Sequence, residues 1–334
     1  KFNDLDMDGD GDNTNEVPLT FVSGNWQGNE SDLIASFGVP ENREHKTIVN
    51  GEVVFTIEDE NWYNAIVELN DWYSRGLIRS ASFTQTQDNF LARGQDGRYG
   101  AFYWWEKETV VSEPDDYIIV LPLSDDDGNR YVGVSNELEV EKGEGVILSS
   151  CEDPEELLAY FDKFFEPEYS AQLNYGSIES GAFLDERDEQ GRLLPNDDPG
   201  AQSADDFRRR KAPYGVVYLT EEQWENDVQM ESRAVLRLER LENYVKPYTY
   251  EGAQSIPNLN YTAEELNELN IYESSLTNNI LNWMTTAIIS AGAPSYESWQ
   301  SFLNENRNSI DAVKRINQAA YDRYAEAVET AGQE

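Results

Sequence analysis

The residues best spaced for chemistry lie at the start of the chain, in Asp6-Met7-Asp8-Gly9-Asp10-Gly11-Asp12-Asn13-Thr14-Asn15-Glu16. Acidic side chains at alternate positions, followed by glycine where the backbone must turn sharply, wrap hard oxygen ligands around a calcium ion. An EF-hand loop closes on a bidentate Glu at its twelfth position, whereas Glu16 falls at the eleventh counted from Asp6, so this loop closes differently. Crowded carboxylates repel one another unless a cation lies among them. The competing reading is a solvated acidic turn, which a chain with 65 acidic and 25 basic side chains could easily contain.

Aromatic residues are the second signal. Eight Trp, nineteen Tyr and thirteen Phe are many for so polar a chain, and flat rings in concave surfaces stack on sugar faces while nearby polar groups bond hydroxyls. Trp62, Trp72, Trp224 and Trp283 stand at helical core spacing. Trp26 lies in a loop. Trp104 and Trp105 end a strand, where neighbours point to opposite faces, so one is expected in a cleft and the other in the core.

Other chemistry has little to draw on. The single Cys151 excludes an internal disulfide and a Cys-rich metal site, and the single His45 excludes most His-dependent mechanisms. His45 falls in the polar stretch Glu44-His45-Lys46 and is expected to be exposed. Carboxylate pairs for glycoside hydrolysis are too numerous for any pair to be informative. A net charge of −40 repels phosphate backbones and anionic lipid, which argues against nucleic acid as a partner. The Arg208-Arg209-Arg210-Lys211 run reads as local pairing with that acidic surface. No segment approaches eighteen consecutive apolar residues, and the first ten residues do not read as a signal peptide but as an interior start.

The elements that must position these residues alternate between strand and helix, an α/β pattern. Residues 51–57, 98–105, 116–123 and 145–149 read as strands, the last three of them buried. Asn61 to Gly76 reads as an amphipathic helix ended by its glycine. A helix starts at Asp153-Pro154-Glu155 and runs through Leu157, Leu158, Phe161 and Phe164. Long helices are expected over 220–244, 262–291 and 309–327.

Several of these segments resemble the large extracellular solute-binding proteins (family 1) of ABC carbohydrate importers, especially the calcium-loop lipoproteins that include alginate- and oligosaccharide-binding members. Asp6 to Pro18 resembles that group's calcium loop, and NWYNAIVELNDWYSRGLI (61–78) its helix ending in L-Y-x-E-G-L-I. Gly97 to Trp105 resembles its G-K-x-G strand, and IVLPLSDDDG (119–128) its P-P-L-x-G-P-D-G segment. Cys151 to Gly176 is similar to its C-x-x-P-E helix with the N-Y-G ending, and Gln318 to Tyr324 to its Q-x-A-Y-D-R-Y.

The resemblance implies an α/β, periplasmic-binding-protein-like two-lobe fold (type II) with the N-terminal lobe incomplete. Residues 1–117 and 182–334 would belong to the second lobe, and 118–181 would be the returning part of the first. It implies a carbohydrate-binding subunit rather than an enzyme, with no catalytic residues, holding an oligosaccharide in an interlobe cleft. A secreted calcium-dependent glycoside hydrolase or polysaccharide lyase is the alternative. Calcium would be structural, held by Asp6, Asp8, Asp10, Asp12, Asn15 and Glu16, with Asp12 where a backbone carbonyl serves. Trp26, Trp104, Trp105, Tyr175 and Phe183 are the candidate ligand contacts. The expected partners are the membrane permease subunits of an ABC transporter, and the expected form is an extracellular monomer anchored as a lipoprotein.

Overall fold

A computed structural model describes residues 6, 9–12, 14–125, 127–134, 146–198, 200, 204–213 and 219–331. The chain forms two compact units, Lys1–Val140 with Tyr244–Glu334, and Glu141–Asn243.

The first unit is built on helices. α1 (Ser31–Ala35) is short, and α2 (Glu60–Ser74) is the amphipathic helix the sequence predicts. Asp59 starts α2 by accepting a hydrogen bond from the Asn61 backbone N–H. Its spacing turns Trp62, Ala65, Ile66 and Leu69 into the core, and Gly76 reverses the chain at φ 72°. α3 (Gln87–Gln95) follows. α9 (Ala263–Ile289) begins with a capping box between Thr262 and Glu265. α10 (Tyr296–Glu305) and α11 (Arg307–Ala331) complete the unit. The core joins α2, α9, α10 and α11 through Trp62, Leu69, Ile280, Met284, Trp299 and Ile316. Asn70 on α2 donates to the carbonyls of Ala287 and Ile288 at 3.0 Å and of Ser290 at 2.9 Å, tying it to the end of α9.

Strands in this unit are short. β1 (Val17–Thr20) runs parallel to β4 (Tyr99–Phe102), pairing Val17 with Tyr99. β2 (Lys46–Val49) and β3 (Glu52–Phe55) form a hairpin whose Asn50-Gly51 turn has φ of 51° and 86°. Positive φ at both central positions matches the right-handed twist of the strands, which is why Asn-Gly stands there. β7 (Ala253–Gln254) adds to the free edge of β2.

The second unit contains α4 (Pro154–Asp162), α5 (Pro167–Tyr175), the hairpin β5 (Phe183–Arg187) and β6 (Leu193–Pro195), α6 (Ala204–Lys211), α7 (Glu221–Asn226) and most of α8 (Ser232–Tyr244). Its buried apolar cluster is small: Ala171, Ala182, Phe183, Leu193, Phe207 and Val228.

Several expectations need correction. Residues 116–123 form no strand; Ile118 is 83% and Val120 67% exposed. The described part of 145–149 is likewise unpaired, with Val146 82% exposed. A strand exists only when another backbone satisfies its ladder, and no described residues pair along either run. The helix expected over 220–244 is broken into α7 and α8. α4 buries none of its residues; Tyr160, Phe161, Phe164 and Tyr169 cluster among themselves instead. Finally, His45 is buried, for the reason given below.

Candidate functional site

Trp26 and Trp105 meet on the first unit. Their rings contact edge to face at 5.6 Å and 78°, while 60% of Trp26 and 50% of Trp105 remain exposed. Two tryptophans left this open forgo much of their burial energy, so the pair is a surface available for contact. Trp104 turns the other way, onto Phe90 at 4.8 Å, as alternation along an extended chain requires. Gly28 fixes the loop against this segment: at φ 61°, a Cβ there would stand 2.3 Å from the Tyr103 carbonyl oxygen and 2.7 Å from the Trp104 ring.

Acidic groups follow Trp26 along the chain. Glu30 is buried and accepts from Ser23 Oγ at 2.6 Å and the Gly24 N–H at 3.3 Å. Burial pushes its carboxyl above the usual range, against the lowering effect of Ser23. Asp32 is an exposed residue of α1, yet burial of its carboxyl among the surrounding groups, with the Glu30 charge adding to it, pushes it up to about 6. Burial also raises the Tyr103 phenol, and the charge of Asp32 raises it further.

His45 is buried and packs against Trp62. Burial alone would lower its imidazole, but the Glu41 carboxylate 3.0 Å from Nδ1 outweighs that effect and the net shift is upward. Glu41 also accepts from Thr56 Oγ1 at 2.9 Å and the Asn42 N–H at 2.9 Å. A fully satisfied carboxylate is what lets a polar stretch bury its histidine. Because the folded pKa is raised, this contact stabilises fully below the unfolded value and fades as pH climbs through the folded one.

The second unit holds its own cavity, of about 280 Å³. Tyr175, Phe183 and Trp224 line it; the Tyr175 ring meets Phe183 at 6.4 Å and Trp224 at 6.2 Å. Arg208 places its guanidinium 4.6 Å over Tyr175 and donates to Asn174 Oδ1 at 2.7 Å. Gly176, at φ 108°, turns the chain where a Cβ would lie 3.0 Å from both Ala182 Cβ and Ser180 Oγ. The Asn174-Tyr175-Gly176 triplet therefore holds the arginine, walls the cavity and reverses the chain. Phe183 is 4% exposed, so it reaches the cavity as part of the core wall.

In the acidic loop, Asp6 accepts from the Gly11 N–H at 2.9 Å. Asp10 accepts from the Asp12 N–H and from Asn15 Nδ2, both at 2.7 Å. Asp12 turns its carboxylate to Thr14, whose hydroxyl at 2.6 Å holds it below the usual range. Asn15 Oδ1 is a buried acceptor without a hydrogen bond, and the Glu16 side chain is wholly buried. Oxygen donors so disposed suit a hard cation. Among the described residues no three His, Cys, Asp or Glu converge on one point; Asp8 lies outside them.

No protein-family model matches the chain. The chain is 23% identical over 327 residues to the fructooligosaccharide ABC transporter substrate-binding protein FusA of Streptococcus pneumoniae, covering 97% of this chain and 60% of that protein. FusA in complex with kestose superposes with a TM-score of 0.85 over 98% of this chain and 66% of its own, at 23% identity. The chain has the ABC-transporter substrate-binding-protein fold. It spans about 60% of FusA's length, so its α/β units correspond to part of that fold.

An EF-hand mutant of FusA in complex with fructo-nystose matches at a TM-score of 0.82 and 22% identity, over 98% of this chain and 66% of its own. An HMO-binding solute-binding protein of Bifidobacterium longum infantis matches at 0.72 and 17%, over 97% and 68%. The resemblance drawn from six motifs in order is therefore borne out. Reading the sequence missed Glu30, Asp32, Glu41 and Tyr103. Among 65 acids nothing marks these three carboxylates in advance, and only the Glu41/His45 spacing offered a hint.

Proposed function

We propose that this chain belongs to a carbohydrate-binding subunit of an ABC importer and captures neutral oligosaccharides without transforming them. The observation that carries this reading is the exposed Trp26–Trp105 pair, whose rings meet edge to face on the first unit. Open aromatic rings are what the flat face of a sugar stacks on. The cavity at Tyr175 and Trp224 offers a second aromatic wall of the same kind. The similarity to FusA, whose structure holds kestose, supports the class of ligand. Trp105→Ala should weaken kestose binding by about 1–3 kcal/mol, by analogy with base–aromatic stacking. Isothermal titration against wild type measures it, and an unchanged affinity would remove Trp105 from the site.

The same reading gives calcium a structural role. Asp6, Asp8, Asp10, Asn15 and Glu16 supply side-chain oxygens, and Asp12 a backbone carbonyl. The buried acceptor of Asn15 and the EF-hand of the FusA relative support it. Bound calcium would neutralise the loop's carboxylates and hold it against the first unit. The subunit would work outside the cell as a lipid-anchored monomer that delivers ligand to permease subunits. Among the described residues no helix is long and apolar enough to cross a membrane. A hydrolase or lyase is not favoured, because the matched relatives are substrate-binding proteins.

A further inference from the structure

The loop that presents Trp26 is closed at its base. Val22, Gly28 and Asn29 are buried there, whereas Trp26 at its crown is 60% exposed. The Val22 N–H donates to the Gly28 carbonyl at 3.0 Å, and Asn29 Nδ2 donates to the Asn25 carbonyl at 2.7 Å. Asn29 also receives the start of α1, its Oδ1 accepting from the Ser31 N–H at 2.8 Å. Glu30 stands at the N-cap position of that helix, yet its carboxylate makes no capping hydrogen bond. It turns back along the chain instead, Oε1 accepting from Ser23 Oγ at 2.6 Å and Oε2 from the Gly24 N–H at 3.3 Å. Gly24, at φ 67°, turns the backbone just before Asn25 and Trp26. A carboxylate only 2% exposed is costly to bury, and both of its oxygens serve this turn. The other arm of the loop is fixed by Gly28, which lies against Tyr103 and Trp104, the residues that lead into Trp105.

We propose that Glu30 is a positioning residue of this contact surface: through Ser23 and Gly24 it holds the loop so that Trp26 stands against Trp105 before a glycan arrives. The carboxylate is buried beneath the loop and acts through the ring, not on the ligand. A loop already fixed in its binding conformation has less freedom to lose on association, so affinity rises without a new contact. The role is one of hydrogen bonding rather than of charge. A glutamine at this position accepts from the Gly24 N–H through its carbonyl and donates to Ser23 Oγ through its amide, since a hydroxyl accepts as well as donates. An alanine leaves both donors without their acceptor and frees the turn at Gly24 to relax.

The inference rests on the carbohydrate reading, and the experiment separates the two. Wild type, Glu30→Ala, Glu30→Gln, Ser23→Ala, Trp26→Ala and the Glu30→Ala/Trp26→Ala double variant are titrated with kestose. Their near-ultraviolet circular dichroism is recorded without ligand. Glu30→Ala should bind kestose about tenfold more weakly, the scale of reordering one large side chain and its turn. Ser23→Ala, which removes one of the two hydrogen bonds, should bind about threefold more weakly, and Glu30→Gln should bind like wild type. The double variant should bind as Trp26→Ala does, because Glu30 acts through the ring that is already gone; a merely structural role would make the two losses add. The dichroism that wild type owes to the Trp26–Trp105 contact, read as its difference from Trp26→Ala, should shrink in Glu30→Ala and persist in Glu30→Gln. Ser23→Ala decides the same comparison if Glu30→Ala does not fold. Unchanged affinity and dichroism in Glu30→Ala, equal losses in Glu30→Ala and Glu30→Gln, or additive losses in the double variant would each overturn the positioning role. Failure of wild type to bind any neutral glycan would overturn the carbohydrate reading, while the dichroism would still show whether Glu30 holds Trp26 in place.

Discussion

Trp299→Ala is expected to cost the first unit about 3–5 kcal/mol, the range for deleting a large buried aromatic. Trp299 is 2% exposed on α10, stacks on Tyr63 at 5.2 Å and meets Tyr296 at 5.1 Å. Its indole N–H donates to the Ile57 carbonyl at 3.0 Å, so truncation leaves both a cavity and an unmet buried acceptor. The ring also joins α10 to α2, which places the loss where the helices meet. Denaturant unfolding followed by circular dichroism would show a transition at lower denaturant. Trp26→Ala is the matched control: an exposed ring removed from a loop should change stability by no more than about 0.5 kcal/mol. An equal loss in both variants would contradict the assignment of core and contact surface.

Calcium is expected to have the second-largest effect. A ligand that binds only the folded state at a hundred times its dissociation constant stabilises by about 2.7 kcal/mol. Calorimetric unfolding in excess calcium should show the first unit melting at a higher temperature than in a chelator. The gain should vanish on acidification, as protons displace the metal from its carboxylates. Asp10→Ala should abolish most of it, because Asp10 is held at the loop's centre by Asp12 and Asn15. Magnesium should substitute poorly, since it demands tighter octahedral geometry than a flexible acidic loop supplies. Identical melting with calcium and with chelator would show that the acidic loop is a solvated turn.

Much of the helical framework was legible in the sequence because helical amphipathicity is local. The stripe Trp62-Ile66-Leu69 with its Gly76 stop reads directly, and so does the long last helix. Apolar runs 116–123 and 145–149 misled because a short β-rich run specifies a strand only if a partner backbone is at hand. His45 misled through its polar neighbours; burial depended on Glu41, whose carboxylate is satisfied by residues as distant as Thr56. In the site, Trp26, Trp105 and Tyr175 stood out by type and setting. Asp32 did not, since what distinguishes it from the other acids is the approach of Gly133 from far along the chain.

Titration calorimetry of this chain with kestose at pH 7, in calcium, tests the central claim most directly. Saturable binding with the kestose recovered uncleaved is the predicted result. Absence of heat with kestose and with a panel of neutral oligosaccharides, or release of shortened sugars during the titration, would contradict it.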